Sequence, residues 1–521
     1  VISRRVDTPP SIELDPAAVP VDAPPTPSSR LTFGSAVPIV IFVALAIGFT
    51  FFATAGTWQF RDIGSVYFDA LGRSFLQGHL YLEQIPPAEL LALANPYDPA
   101  QRSTIKPTWP WDVSLHNGHF YLYWGPAPAV LHAAWHLVFP QPLLEGPFSV
   151  AVALACCVVF WLLLEQIRRR AFPDSPGWLV WGCVMAFGLG GTMPYLVARP
   201  GVYHTPILLA MLLVLAALYC LLAIVERRGS WSGVLYCVLA GVLLGWAIAA
   251  RISYVAYAGA IGVVLAWVLL RRPAHRGRGL RQLVGFAVPL ALSLMLLLAY
   301  NWARFESPFE FGQKYQLAGT DQTRMTSACG RNLPGYVGLY FLSFPRLQRS
   351  YPFIPFRTGP AVFNDRGPSF FPTRLTAAVP QEPPVLSALL LAPLGLLLLA
   401  APRLGWRTAT WAGAAAVVGA AAVGVAATTG VLTCAGGVDA RYYGDLTMAL
   451  TLAGSIVLLA LCQWLRQPRI GPLSRFWRPG LYTFAVASWL GSIAIGLLLG
   501  TIAWLYWAPE AVTRVLGVAH P

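Results

Sequence analysis

Runs of about twenty predominantly apolar residues, the length a helix needs to cross a bilayer, recur along almost the whole chain. They fall near residues 36–54, 147–166, 178–197, 203–225, 233–250, 254–270, 283–301, 385–401, 410–430, 447–465 and 481–506, which predicts eleven spans. Stretches such as "LLAMLLVLAALYCLLAIV" are apolar all round rather than alternating, so they read as helices and not as the strands of a closed barrel. Residues 127–139, "APAVLHAAWHLVF", are short and hold two histidines; they are expected to form a juxtamembrane helix that does not cross. The fold class expected is therefore all-α: a polytopic transmembrane bundle of about eleven spans with two large outer loops that contain juxtamembrane helices.

Composition agrees with this pattern. The chain is 56% hydrophobic and 11% charged, against about 25% charged in a soluble domain. The net charge of +14 would suit nucleic acid only if the basic residues formed one surface. Instead they sit in short connections, where lysine and arginine mark the cytoplasmic side. With eleven spans, Arg168 to Arg170, Arg227, Arg228, Arg271, Arg272, Arg276, Arg278, Arg281, Arg403, Arg407, Arg466, Arg469, Arg475 and Arg478 all fall inside. The short outer turns hold only Arg199, Arg251 and Arg441. Making 127–139 a span would invert the Arg168 triplet. This predicts a multi-pass protein of the inner (plasma) membrane, with its N-terminus cytoplasmic and its chemistry extracytoplasmic.

Residues 1–35, rich in Pro, Asp and Ser, are expected to be a disordered cytoplasmic tail. Residues 36–301 form an N-terminal transmembrane module that includes the outer loop 55–146. A second outer loop covers 302–384, the C-terminal spans 385–506, and an outer tail 507–521. Six of the eight cysteines lie in spans and read as packing residues. Cys329 and Cys434 fall in outer segments, and a disulfide between them is expected. No CxxC or HExxH pattern occurs.

Candidate chemistry gathers on the outer side. "WQFRDIGSVYFDALGRSFLQGHLYL" carries Asp62 and Asp69 seven apart, on one helix face about 10 Å from each other and so too distant to share a metal ion directly. Asp69 also has Arg73 at i+4 as a surface partner, and Asp62 has Arg61 or an N-cap role. "WDVSLHNGHFYLYWGPAPAVLHAAWHLVF" adds Asp112, His116 and His119. Polar residues then mark the span ends: Arg199 and His204 in "VARPGVYH", Arg251 in "AARISY", Asn301, Arg304, Glu306, Glu310 and Lys314 in "YNWARFESPFEFGQKY", and Asp439, Arg441, Tyr442 and Asp445 in "CAGGVDARYYGDL". Charges at such a boundary are costly and mark a site by default, although each also reads as a local pair or a snorkelling side chain. Cations beside carboxylates at the boundary suit a lipid-anchored phosphate.

Four stretches resemble the GT-C class of polytopic glycosyltransferases, in particular the bacterial branch similar to protein O-mannosyltransferases and lipid A aminoarabinose transferases. They are "FRDIGSVYFDALGRSFLQGHLYL", "NGHFYLYWGPAPAVLHA", "YNWARFESPFEFGQKYQL" and "DARYYGDL". The resemblance implies inverting transfer of a sugar from a polyprenyl-phosphate donor to a glycan, lipid or protein acceptor. It implies Asp62 as the general base, with Asp69 standing in for the second acid that many relatives carry, and Arg251, Arg304, Lys314 and Arg441 at the donor phosphate. His116, His119, Arg199, His204 and Tyr442 are further substrate-binding candidates. Many relatives carry a second acid directly after the first. Here Ile63 follows Asp62, which leaves the expected divalent cation, Mg or Mn, an open point. A flippase of lipid-linked sugars is the alternative; it predicts paired halves with helices broken at mid-depth. A non-catalytic scaffold would account for the aromatic loops but not for the convergent charges.

Overall fold

The computed structural model describes residues 36–61, 66–105, 109–110, 112–271, 276–319, 321–324, 333–343, 349, 351, 353, 387–404, 406, 409–433, 439–467, 473–505 and 507–516. Contacts divide the chain into residues 1–40, of which 36–40 begin the first helix, and residues 41–521, which carry the rest. Asp62, Cys329, Cys434, the N-terminal tail and most of 325–386 lie outside the described residues.

The bundle is built from α1 (Val37–Ala53), α6 (Glu145–Ala171), α7 (Gly177–Leu189) with α8 (Met193–Ala198), α9 (Thr205–Glu226), α10 (Trp231–Ala250), α11 (Val255–Leu270), α12 (Arg276–Phe305), α15 (Ala412–Leu432), α16 (Gly444–Trp464) and α17 (Leu473–Trp504). Shorter helices are α2 (Tyr67–Leu76), α3 (Ala88–Leu91), α4 (Pro99–Arg102), α5 (Ala127–His136), α13 (Leu333–Phe341), α14 (Ala388–Leu391) and α18 (Pro509–Leu516). Among the described residues nine helical segments are long and apolar enough to cross a membrane, and α1 and the 3-10 stretch Pro393–Arg403 are shorter apolar helices. All eleven predicted segments are thus helical, and the protein is a multi-pass helical membrane protein. At ten residues, α5 is about 15 Å long and does not cross.

Two spans depart from a plain α-helix. Gly190, extended at ψ −176°, ends α7, and the chain restarts at Met193. Backbone freed by such a break needs partners inside a bilayer. Ser492 on α17 supplies one, accepting from the Gly191 N–H at 3.1 Å and donating to the Leu391 carbonyl at 2.7 Å. The predicted span 385–401 is α14 followed by the 3-10 helix Pro393–Arg403, bounded by Pro393 and containing Pro402, which remove amide donors that a continuous α-helix would use. At the centre stands α16, almost wholly buried against α6, α7, α9, α15 and the 3-10 stretch.

An outer layer covers one end of the bundle. Strands β1 (Ser114–His116) and β2 (His119–Tyr121) pair antiparallel, with Leu115 opposite Phe120. Asn117 and Gly118 between them both have positive φ, 47° and 76°, the conformation a two-residue type I′ hairpin loop requires. The second outer segment joins this hairpin: the Leu317 N–H donates to the Val113 carbonyl at 2.8 Å, and the Ser114 hydroxyl to the Gly312 carbonyl at 2.7 Å. A separate apolar core of Phe68, Leu71, Leu82, Leu90, Val113, Leu115, Phe120, Leu122, Trp124, Ala129, Val202 and Leu317 lies beneath. Two glycines set its seat. A β-carbon at Gly72 would meet the Ala133 nitrogen at 2.8 Å, so α2 crosses α5 closely; one at Gly125 would lie 1.9 Å from the Ala249 carbonyl oxygen at the end of α10.

Candidate active site

That close approach brings the outer layer beside Arg251, the first residue past α10, where the backbone turns extended. Its guanidinium donates through Nε to Asp445 Oδ2 and to Ser253 Oγ, each at 3.1 Å. The Ser253 hydroxyl donates to the same carboxylate oxygen at 3.1 Å, and the Tyr257 hydroxyl to the Asp445 carbonyl at 2.6 Å. Asp445 lies fully buried in the first turn of α16, where a carboxylate also favours the helix N-terminus. One turn earlier, Asp439 caps the 3-10 turn Ala440–Tyr443 by accepting from the Arg441 N–H at 3.0 Å, and its other oxygen meets Arg441 Nη2 at 3.0 Å.

Both arginines are therefore held in the same manner, each by a buried aspartate. They flank one ring, with Arg251 Cζ 5.1 Å and Arg441 Cζ 5.4 Å from the Tyr442 centroid, and Arg441 also lies 4.4 Å over Tyr203. Their side chains keep 16% and 17% exposure while the aspartates keep none. The cations thus keep some exposure and the acids are enclosed.

Asp112 completes the cluster. It is 8% exposed and has a φ of +64°, an uncommon conformation for a residue with a side chain, and such strain tends to gather at functional sites. The Tyr203 hydroxyl and the Gln316 amide donate to its two oxygens, and the Tyr123 hydroxyl lies 3.5 Å away. Burial pushes the Asp112 carboxyl above its ordinary value, against the hydrogen bonds from Tyr203 and Gln316 and the nearby charge of Arg441.

Of the residues singled out from sequence, the structure brings Arg251, Arg441 and Tyr442 together. Asp69 is a correction. It does pair with Arg73, at 3.0 Å, but it is buried between α2 and α5 rather than displayed on a helix surface. Its Oδ1 meets His136 Nε2 at 2.8 Å and the Leu143 N–H at 3.0 Å, with His132 Nδ1 at 3.6 Å. Burial alone would raise this carboxyl; the hydrogen bonds from His132, Leu143 and His136 outweigh it and hold it at about 2. A carboxylate so stabilised is a poor proton acceptor, and its contacts clamp α2 to α5 and the Leu143 backbone. The clamp extends to Glu145, which lies 3.8 Å from His132 and accepts from the Thr205 hydroxyl at 2.6 Å.

The remaining candidates stand elsewhere in the outer layer. Arg304 is buried at the end of α12, donating to the Leu122 carbonyl at 2.5 Å and to Asn301 at 2.7 Å, with its guanidinium 3.9 Å over Tyr300. It ties the end of α12 to the outer layer. Lys314 is exposed, 5.8 Å over Tyr315. His116 stacks on Tyr315 at 4.3 Å and His119 on Tyr81 at 4.0 Å; burial pushes the His116 imidazole below its ordinary value. Arg199 ends α8, and His204 caps α9 with its ring 5.4 Å from Tyr195. The described acids do not form a nest for the expected Mg or Mn ion. Among the described residues no three His, Cys, Asp or Glu side chains are grouped to hold a metal, and Asp439 and Asp445 are each committed to an arginine.

Beside this cluster an open groove of about 400 Å³ is lined by Tyr67, Ala70, Arg73, Glu83, Gln84 and Pro110. The Tyr67 ring stacks on Trp124 at 6.4 Å, and Trp124 meets Tyr203 edge-on at 5.2 Å, so an aromatic path links groove and arginine pair.

No family model matches the chain, and no curated protein does. Solved structures similar to it include the Archaeoglobus fulgidus oligosaccharyltransferase in the apo form, at 13% identity and a TM-score of 0.49, covering 91% of this chain and 57% of that one. The same organism's oligosaccharyltransferase AglB, in complex with an inhibitory peptide and a dolichol-phosphate, matches at 13% identity and 0.49, covering 89% and 55%. A third, tethered to an acceptor peptide containing the NVT sequon, matches at 14% and 0.47, covering 90% and 55%. The chain thus spans little more than half the length of these neighbours.

Proposed function

We propose that this protein is a membrane glycosyltransferase of the GT-C kind, which moves a sugar from a polyprenyl-phosphate donor to an acceptor hydroxyl with inversion. The observation that carries this reading is the pair Arg251 and Arg441. They come from the ends of different spans, are each fixed by a buried aspartate, and both lie within 5.4 Å of the Tyr442 ring centroid. Arginine forks match phosphate oxygens bidentately. As the acceptor oxygen attacks the anomeric carbon, the bond from that carbon to the phosphate oxygen breaks and charge grows on the departing lipid phosphate. Donors fixed in advance stabilise that charge without reorganising.

The acceptor proton passes to an aspartate: Asp62 is assigned the base role, and Asp112, the buried carboxylate that Tyr203 and Gln316 orient, is the second candidate. The groove beside Tyr67 suits a polyhydroxylated acceptor, since it mixes an aromatic ring with charged and amide side chains. The arginine-rich connections lie in the cytoplasm of a cell with this protein in its inner membrane, and the site faces outward.

The test is sugar release from a panel of polyprenyl-phosphate sugars by protein in lipid, with and without Mg or Mn, comparing the native chain with Asp62→Asn and Asp112→Asn. A drop of about a hundredfold or more in Asp62→Asn, the scale of losing a general base, is expected. A drop in Asp112→Asn alone transfers the base role to Asp112. Absence of turnover with every donor, together with saturable binding of lipid-linked sugar, replaces the enzyme by a flippase.

A further inference from the structure

The opposite end of α10 carries a second basic site that the transfer reaction does not use. Twenty residues of α10 separate Ser230 from Arg251, about 30 Å at helical rise, the thickness of the hydrocarbon core. There, a cavity of about 200 Å³ opens between the turn joining α9 to α10, the end of α11 and the start of α12, with Arg228, Gly229, Val268, Leu269, Arg278 and Gln282 in its lining. Gln282 is fully buried and its amide holds the wall, accepting from the Gly229 N–H at 3.0 Å and donating to the Arg227 carbonyl at 3.4 Å. The charged side chains of the lining are the two arginines; no acid belongs to it among the described residues.

Neighbouring rings fix the depth of this cavity in the bilayer. Arg281 lies 4.6 Å over Trp231, Arg271 4.7 Å over Trp267, and Arg227 5.2 Å over Tyr236. Trp231 and Trp267 are 74% and 62% exposed, as tryptophans are at the headgroup level. A basic pocket between spans at that level, with apolar Val268 and Leu269 on its wall, has the chemistry of an anionic headgroup site.

We propose that this cavity binds the phosphate of an anionic phospholipid, held by Arg228 and Arg278 on the membrane face opposite the arginine pair. A free phosphate ion shares the chemistry; the apolar wall at headgroup depth favours the lipid. The experiment uses the full chain in detergent, exchanged against phosphatidylglycerol or phosphatidylcholine, with retained lipid counted by native mass spectrometry. Arg228→Gln and Arg278→Gln are examined singly and together, and the pair Arg271→Gln and Arg281→Gln serves as a control that removes equal charge at the same boundary but outside the cavity. Size-exclusion profiles check folding; the single Arg278→Gln change, at an exposed position, keeps the test valid should the double variant aggregate.

The expected result is selective retention of phosphatidylglycerol by the native chain and the control, weakened about tenfold or more in the cavity variants, the scale of losing a charge-assisted hydrogen bond. Equal weakening in the control pair overturns the site in favour of general surface charge. Equal retention of both lipids overturns it outright. Complete displacement by millimolar inorganic phosphate assigns the cavity to the free ion and overturns the lipid reading.

Discussion

Arg441 joins several parts of the site: it meets Asp439, overlies Tyr203 and Tyr442, and acts on Asp112 through space. Arg441→Gln is expected to lower kcat/KM for a lipid-phosphate sugar by roughly ten- to a hundredfold, the value of a charged hydrogen bond of about 1.5–3 kcal/mol. Arg441→Lys should recover only part of this, because an ammonium keeps the charge and loses the fork. Steady-state kinetics of the two variants checks both; equal rates in Arg441→Gln and the native chain would remove it from the donor site. Asp69 makes a different prediction. Its carboxyl, ordinarily near 3.8, is held at about 2 in the folded chain, so the folded state binds this proton less readily than the unfolded one. Its contribution to stability is complete above pH 3.8 and is lost as pH falls toward 2. Acid unfolding of Asp69→Asn, followed by tryptophan fluorescence, should lack that component and start from a less stable protein at neutral pH.

At the scale of elements, the site depends on how the outer layer is seated. Gly125 lets the connection before α5 touch the last turn of α10, immediately before Arg251. Gly125→Ala places a carbon 1.9 Å from the Ala249 oxygen, and backbone on both sides has to shift. Overpacking of this kind costs about 1–3 kcal/mol, so a lower midpoint of thermal unfolding is expected, along with a loss of donor affinity larger than in a Gly319→Ala control, whose added carbon meets nothing within 4 Å. The apolar periodicity made every span legible, whereas the breaks were not. Gly190 followed by Gly191 reads as two tolerated glycines until Ser492, 301 residues away from Gly191, is seen to hold the freed amide. The hairpin at Asn117 and Gly118 did have a local signal, an Asn-Gly pair between short apolar strands, which an eye drawn to the histidines on either side passes over.

For the whole molecule, the arginine distribution and the position of the site make one joint prediction about sidedness. In a chain whose native cysteines are replaced, Gln313→Cys, exposed in the outer layer, should react in intact cells with a maleimide that does not cross membranes. Ser232→Cys, exposed at the start of α10, should react only after permeabilisation. The reverse result would place the arginine pair in the cytoplasm and end the extracytoplasmic reading. What the sequence determined by itself was the helical bundle, because spans follow from transfer free energies that act residue by residue. What only the tertiary structure decided was which polar residues meet. Arg251 finds Asp445 across 194 positions, and Asp112 finds Tyr203 and Gln316 across 91 and 204. Such partnerships arise where a buried charge must be paired, and helix packing, not local spacing, chooses the partner. For that reason Asp69 and Arg304, as conspicuous in sequence as Arg441, are found buried in contacts that fasten the outer layer, while Tyr203, which carries no sequence signal, joins Asp112 to Arg441.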